Sequence, residues 1–90
     1  MSTSARPIST IANEICRILS RDFPGKWHER FYGAVPYLEA MLSLNSINDR
    51  YIEDTGYSMV AYFLSNMQTW RGDDAKRIKA ELNAILKSVK

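Results

Sequence analysis

KWHERFYGAVPYLEAMLSLN, residues 26 to 45, decides how this chain folds. Pro36 stands inside it. A proline within a helix removes one hydrogen bond, and its ring clashes with the carbonyl four residues back. The apolar phase nevertheless survives it. Trp27, Phe31, Ala34, Leu38 and Met41 share one face if the helix runs straight through, whereas a break normally scrambles that register. The spacing therefore predicts one helix kinked near Pro36, with Gly33 giving the backbone room. The competing arrangement is two pieces, with Pro36 in the first turn of the second. Beyond Pro36, the residues Tyr37, Leu38, Met41, Leu42 and Leu44 cover nearly half the circumference, which marks the segment as central.

Upstream, Ile8, Ile11, Ala12, Ile15, Ile18 and Leu19 recur at helical spacing, flanked by Cys16 and Phe23. Ser9 or Thr10 is expected to cap this first helix, and Pro24-Gly25 to end it. Downstream, NSINDRYIEDTG (residues 45 to 56) reads as a polar connector. Ser46 and Asp49 suit a capped turn, and Ile47, Tyr51 and Ile52 are expected to tuck inward. Asp54 or Thr55 then opens a third helix to about Trp70, burying Met59, Val60, Phe63, Met67 and Trp70. Gly72 interrupts the chain before a fourth, whose core stripe is Ala75, Ile78, Leu82, Ile85 and Val89. Asp73 and Asp74 fall in its first turn, where negative charge suits the helix dipole. No strand pattern or repeat is visible. The expected fold is all-α, a compact four-helix bundle with helix 2 kinked near Pro36. One domain spans residues 7 to 90, and residues 1 to 6 are expected to be disordered.

At 90 residues, 46% apolar and 24% charged, the chain has the composition of a single globular domain. No apolar run approaches the roughly 20 residues that span a bilayer. The one cysteine, Cys16, excludes an internal disulfide and fits a reducing compartment. With no signal-peptide pattern at the start, the expected location is the cytoplasm. The net charge of +2 is too mild to argue for nucleic acid, but it is unevenly spread. Residues 71 to 90 hold six basic and three acidic residues, and residues 45 to 54 hold one basic and three acidic.

That imbalance directs attention to the fourth helix. Lys76, Lys79, Asn83, Lys87 and Lys90 fall within about 80° of one another at 3.6 residues per turn. Such a stripe can seat phosphates or an acidic protein surface. It can equally be a solvated face whose lysine stems cover apolar edges. Tyr32 and Tyr62 project from the polar sides of their helices, as interface tyrosines do. The candidate interaction surface is therefore Tyr32, Tyr62, Arg71, Lys76, Lys79, Lys87 and Lys90. Trp27 and Trp70 fit core stripes. Arg71-Gly72-Asp73 spells an adhesion tripeptide, but Asp73 belongs to a helix start.

Catalytic constellations are not evident. His28 has no second histidine at a metal-binding spacing, and Cys16 lies beside a buried stripe, where a thiol is inert. No glycine-rich phosphate loop or nucleophile elbow occurs. The expectation is a non-enzyme with no cofactor and no metal.

The blocks ISTIANEI (8 to 15), FYGAVPYLEAMLSL (31 to 44) and YFLSNMQTWRGDDAKRIKAEL (62 to 82) resemble small uncharacterised phage, prophage and mobile-element proteins of bacteria. The stretch from Arg21 to Phe31 looks longer than in those proteins. The resemblance implies a setting, not a set of functional residues. Small proteins of that setting often bind a host or element protein, including as inhibitors. The expected function is thus a small protein-binding accessory protein, an adaptor or inhibitor. The competing readings are a nucleic-acid accessory protein using the basic face of the last helix, and a homodimer built on leftover apolar surface of helix 2.

Overall fold

The computed structural model describes residues 6–51 and 54–88. Among them are five helices: α1 (Ile8–Asp22), α2 (Trp27–Arg30), α3 (Val35–Met41), α4 (Gly56–Ser65) and α5 (Asp73–Ser88). α1 packs on α3 and α5, and α4 packs on the same two, so these four surround one core. Each contributes the stripe its periodicity announced: Ile11 and Ile15 from α1, Leu38 and Met41 from α3, Val60 and Phe63 from α4, Ile78 and Leu82 from α5. The fold is all-α.

The segment around Pro36 differs from the single kinked helix expected. It forms α2, a run of turns at 31–34, and then α3. Pro36 has no N–H to offer the carbonyl of Tyr32. That carbonyl instead accepts from the Val35 N–H at 3.4 Å, one residue early, which tightens the chain. Ala34 becomes the N-cap of α3 and Pro36 lies in its first turn, where a missing N–H costs nothing. The apolar phase survives because the turns keep winding. Phe31 N–H donates to Trp27 O (3.0 Å), Ala34 N–H to Phe31 O (2.8 Å) and Leu38 N–H to Ala34 O (2.9 Å). Trp27, Phe31, Ala34, Leu38 and Met41 are accordingly all buried. Gly33 serves a different purpose from the one expected. A Cβ there would stand 2.7 Å from Oδ1 of Asn66, so the glycine admits the end of α4.

α1 is not capped by Ser9 or Thr10, which lie inside it. Its N-cap is Pro7, with no side-chain bond. Its free N–H groups find distant carbonyls: Ile8 N–H donates to Asn45 O (3.3 Å) and Ser9 N–H to Leu44 O (2.7 Å). The start of α1 is thus seated on the chain just beyond α3, and donors that would otherwise need water or a cap are satisfied there.

The connector is held much as expected. The Asp49 carboxylate accepts from the N–H groups of Asn45 (2.9 Å) and Ser46 (3.1 Å), and Ser46 Oγ accepts from Asn48 N–H (3.1 Å). Ile47 is buried; Ile52 and the Tyr51 side chain fall outside the described residues. One feature was not foreseen: β1 (Arg50–Tyr51) pairs antiparallel with β2 (Asp54–Thr55). This minimal ladder folds the connector back so that Gly56 N–H donates to Asp49 O at 2.6 Å. A Cβ on Gly56 would meet the carbonyl oxygens of Ile47 at 2.8 Å and Ser46 at 3.0 Å. Only glycine allows the connector to close so tightly over the start of α4. Thr55 caps α4, its hydroxyl accepting from Ser58 N–H at 3.1 Å.

α4 stops at Ser65, short of the Trp70 expected. Asn66 turns its side-chain amide back to Tyr62 O at 2.8 Å and ends the helix. Met67 and Trp70 are buried all the same, carried inward by turns in the link to α5. Val89, expected in the α5 stripe, lies outside the described residues.

Candidate interaction surface

α5 carries two unlike flanks on either side of its buried stripe. At about 100° per residue, Asp74, Arg77 and Glu81 fall on one side, and Lys79, Asn83, Lys76 and Lys87 run from the other edge of the stripe round to the face opposite the core. The first flank faces α1 and is saturated with ion pairs. Arg6 grips Glu81 through Nε (2.8 Å) and Nη2 (2.6 Å), and reaches Glu14 at 2.8 Å. Arg77 joins Glu14 (2.7 Å) to Asp74 (3.3 Å), and Arg21 joins Asp74 (2.8 Å) to Asp22 (2.8 Å). Charges therefore alternate along the seam from Glu81 to Asp22. The Arg77 guanidinium, helped by Arg6, holds the Glu14 carboxyl below its ordinary range. Arg21 and then Arg77 do the same for Asp74. Arg6, assigned by sequence to the N-terminal tail, is one of the anchors of this seam. Its partners are 75 and 8 residues away, so no local pattern announces them.

The second flank has no such balance. Among the described residues, Arg71, Lys76, Lys79 and Lys87 enter no ion pair. Lys76, Lys87 and Arg71 are exposed. Lys79 is half-buried, and its Nζ donates to the carbonyl of Trp70 at 2.7 Å, tying α5 to the preceding link. Burial first, and the nearby Arg71 second, push its ammonium below the usual lysine value. Lys90 lies outside the described residues.

The tyrosines singled out by sequence sit elsewhere. Tyr62 is 50% exposed and rests its ring on Tyr37 of α3, with centroids 5.3 Å apart. Tyr32 follows α2 and is 79% exposed. Both point outward as expected, but Tyr62 belongs to the α3 side of α4. A third ring of α4 and its neighbourhood, Tyr57, is 43% exposed. It and Leu64 lie about 140° and 160° round the helix from Tyr62, on the side of α4 away from the Tyr62–Tyr37 contact. α4, GYSMVAYFLS, contains no Asp, Glu, Lys or Arg, so it offers the lysines nothing to pair with.

The remaining chemistry-bearing groups are dispersed. Cys16 is half-buried, and burial with the nearby Glu39 pushes its thiol up, away from the thiolate that a nucleophile needs. His28 stacks on Trp27 with centroids 3.7 Å apart. Arg30 lies over the rings of Phe23 and Phe31, at 5.2 and 5.5 Å. No three His, Cys, Asp or Glu side chains among the described residues converge on a point that would hold a metal. Two open hollows, of about 270 and 170 Å³, lie over Glu14, Arg17, Ile18 and Arg21 and between Arg6, Ile47 and Ile85. No helix among the described residues is long and apolar enough to cross a membrane.

No protein-family model, curated protein or solved structure matches the chain.

Proposed function

We propose that the chain is a small helical-bundle module of the cytoplasm, without catalytic chemistry of its own, that binds another protein. The resemblance of three sequence blocks supports placing it among the accessory proteins of phages or mobile elements, acting as an adaptor or inhibitor. The observation that carries the reading is the unequal treatment of charge on α5. Asp74 and Glu81 are both engaged by arginines on the α1 side, while Arg71, Lys76 and Lys87 are exposed and enter no described ion pair. A cationic edge beside uncharged surface suits a partner that brings carboxylates. The same edge could meet phosphates. Among the described residues only three of its cations are exposed, however, and a nucleic-acid grip gains with every phosphate neutralised. The test is chemical cross-linking of the purified protein in bacterial lysate, with and without nuclease. The reading expects a stoichiometric protein adduct that resists nuclease and is lost in the double variant Lys76→Glu, Lys87→Glu. An adduct removed by nuclease would favour the nucleic-acid reading. A covalent pair of this chain with itself, unaffected by the double variant, would favour the homodimer.

A further inference from the structure

We infer that Lys79 is a site of covalent acylation, its side-chain amine taking an acyl group from an acyl phosphate whose phosphate is held by Arg71. This goes beyond the protein-binding reading and stands apart from it.

The placement follows from one part-buried hydrogen bond. Lys79 Nζ donates to Trp70 O at 2.7 Å. That carbonyl belongs to the peptide bond leading into Arg71, so Nζ lies within about 6 Å of the Arg71 Cα. α5 and the link before it thus bring two cations to one spot. Neither enters an ion pair among the described residues. The nearest acids of α5, Asp73 and Asp74, lie about 120° and 140° round the helix from Lys79. Asp74 is in any case held by Arg21 and Arg77.

An amine so placed gives up its proton more readily than a solvated one. The ammonium form is half out of water, faces a guanidinium and has no carboxylate to hold its charge. Burial and then Arg71 accordingly push Lys79 below the usual lysine value. Lys76 and Lys87 share its helix but are exposed and turned to the face opposite the core. They are the internal controls.

The chemistry uses the same two neighbours. The neutral amine keeps one N–H on Trp70 O and presents its lone pair to the acyl carbon. The C–N bond forms, and the bond from that carbon to the bridging oxygen breaks. Phosphate leaves with the electron pair, and the surplus proton on nitrogen passes to it through solvent. Nothing is oxidised or reduced. The Trp70 carbonyl stabilises the positive charge that nitrogen gains during attack. The Arg71 guanidinium, exposed, offers paired N–H donors to the phosphate. A donor with a neutral leaving group gives Arg71 nothing to hold. The product is an amide whose N–H can still reach Trp70 O, so the tie between the link and α5 is kept while the edge loses a cation.

The experiment treats the full chain at pH 8 with acetyl phosphate or, separately, with the neutral N-hydroxysuccinimide ester of acetic acid. Peptide mass spectrometry follows the occupancy of every lysine with time. With acetyl phosphate, Lys79 should react about fivefold or more faster than Lys76 and Lys87. Arg71→Gln, an exposed change in the link, should slow Lys79 about fivefold or more with acetyl phosphate. It should slow the ester reaction less, because there only a neighbouring charge is lost. Circular dichroism should show the variant folded as the parent is. Equal rates at the three lysines, or Lys79 slower than the exposed pair, would overturn the inference. So would an Arg71→Gln protein that is slowed equally with both donors or with neither.

Discussion

The two sides of α5 treat charge in opposite ways. Towards α1, arginines and carboxylates alternate from Glu81 through Arg6, Glu14, Arg77 and Asp74 to Arg21. On the other side, Lys76 and Lys87 are exposed and enter no described ion pair. The first arrangement uses charge to fasten two helices; the second leaves it available to solvent or a ligand. Their energetic weights differ accordingly. Isolated surface pairs contribute little, but a connected set with bidentate geometry contributes more. Unpaired lysines contribute almost nothing to folding, so removing them should test binding alone.

The largest expected effect comes from the position where the connector closes over the start of α4. Gly56→Ala drives a methyl group towards the Ile47 and Ser46 carbonyls. These are backbone atoms that cannot rotate away, so a loss of about 2–3 kcal/mol is expected. Denaturant unfolding should show the midpoint falling with little change in slope. If the variant matches the parent, the tight closure of the connector over α4 is wrong.

A smaller effect is expected at the hub of the α1–α5 seam. Glu14→Gln severs the links to both Arg6 and Arg77 and should cost about 1 kcal/mol, a few degrees in Tm for a chain of this size. The effect should shrink in high salt. It should also carry a pH signature. Glu14 and Asp74 have folded pKa values held below their ordinary 4.5 and 3.8. The unfolded chain therefore takes up protons first as pH falls. The stability they contribute is fully present above those ordinary values and is lost as pH drops through the folded ones. Stability should decline from about pH 5 downward, and Glu14→Gln should flatten that decline. A Gln variant with the parent's acid profile would show that the seam is decorative.

The smallest effect on folding is expected on the other flank. Lys76→Met and Lys87→Met should each change stability by less than about 0.5 kcal/mol by thermal denaturation. Cys16 offers a chemical check on the interior between the seams. Its thiol is half-buried and its pKa raised, so alkylation by iodoacetamide at pH 8 should be much slower than for a free thiol and should accelerate in urea.

The core was legible in the sequence because it is periodic. Ile11, Leu38, Phe63 and Leu82 each sit in a stripe that a helix must bury. The break at 31–34 was hidden by that same periodicity. Turns that keep winding preserve the phase, so register alone does not distinguish a kink from two pieces. The seat of α1 on Leu44 and Asn45, the fit of Asn66 against Gly33 and the grip of Arg6 on Glu81 all join residues far apart in the chain. No local spacing encodes them. The lysine stripe was visible on a helical wheel. Which way the tyrosines of α4 point depends on how α4 is rotated between its neighbours, and that becomes fixed only when Tyr62 meets Tyr37.

The division of labour on α5 is tested most directly by a crossed comparison of Glu14→Gln and the double variant Lys76→Glu, Lys87→Glu. Each is measured for unfolding free energy and for binding of the protein captured by cross-linking. The account predicts that Glu14→Gln loses stability and keeps binding, while the double variant keeps its stability to within about 1 kcal/mol and loses binding tenfold or more. A double variant that unfolds while still binding, or a Glu14→Gln protein that stays as stable but no longer binds, would contradict it.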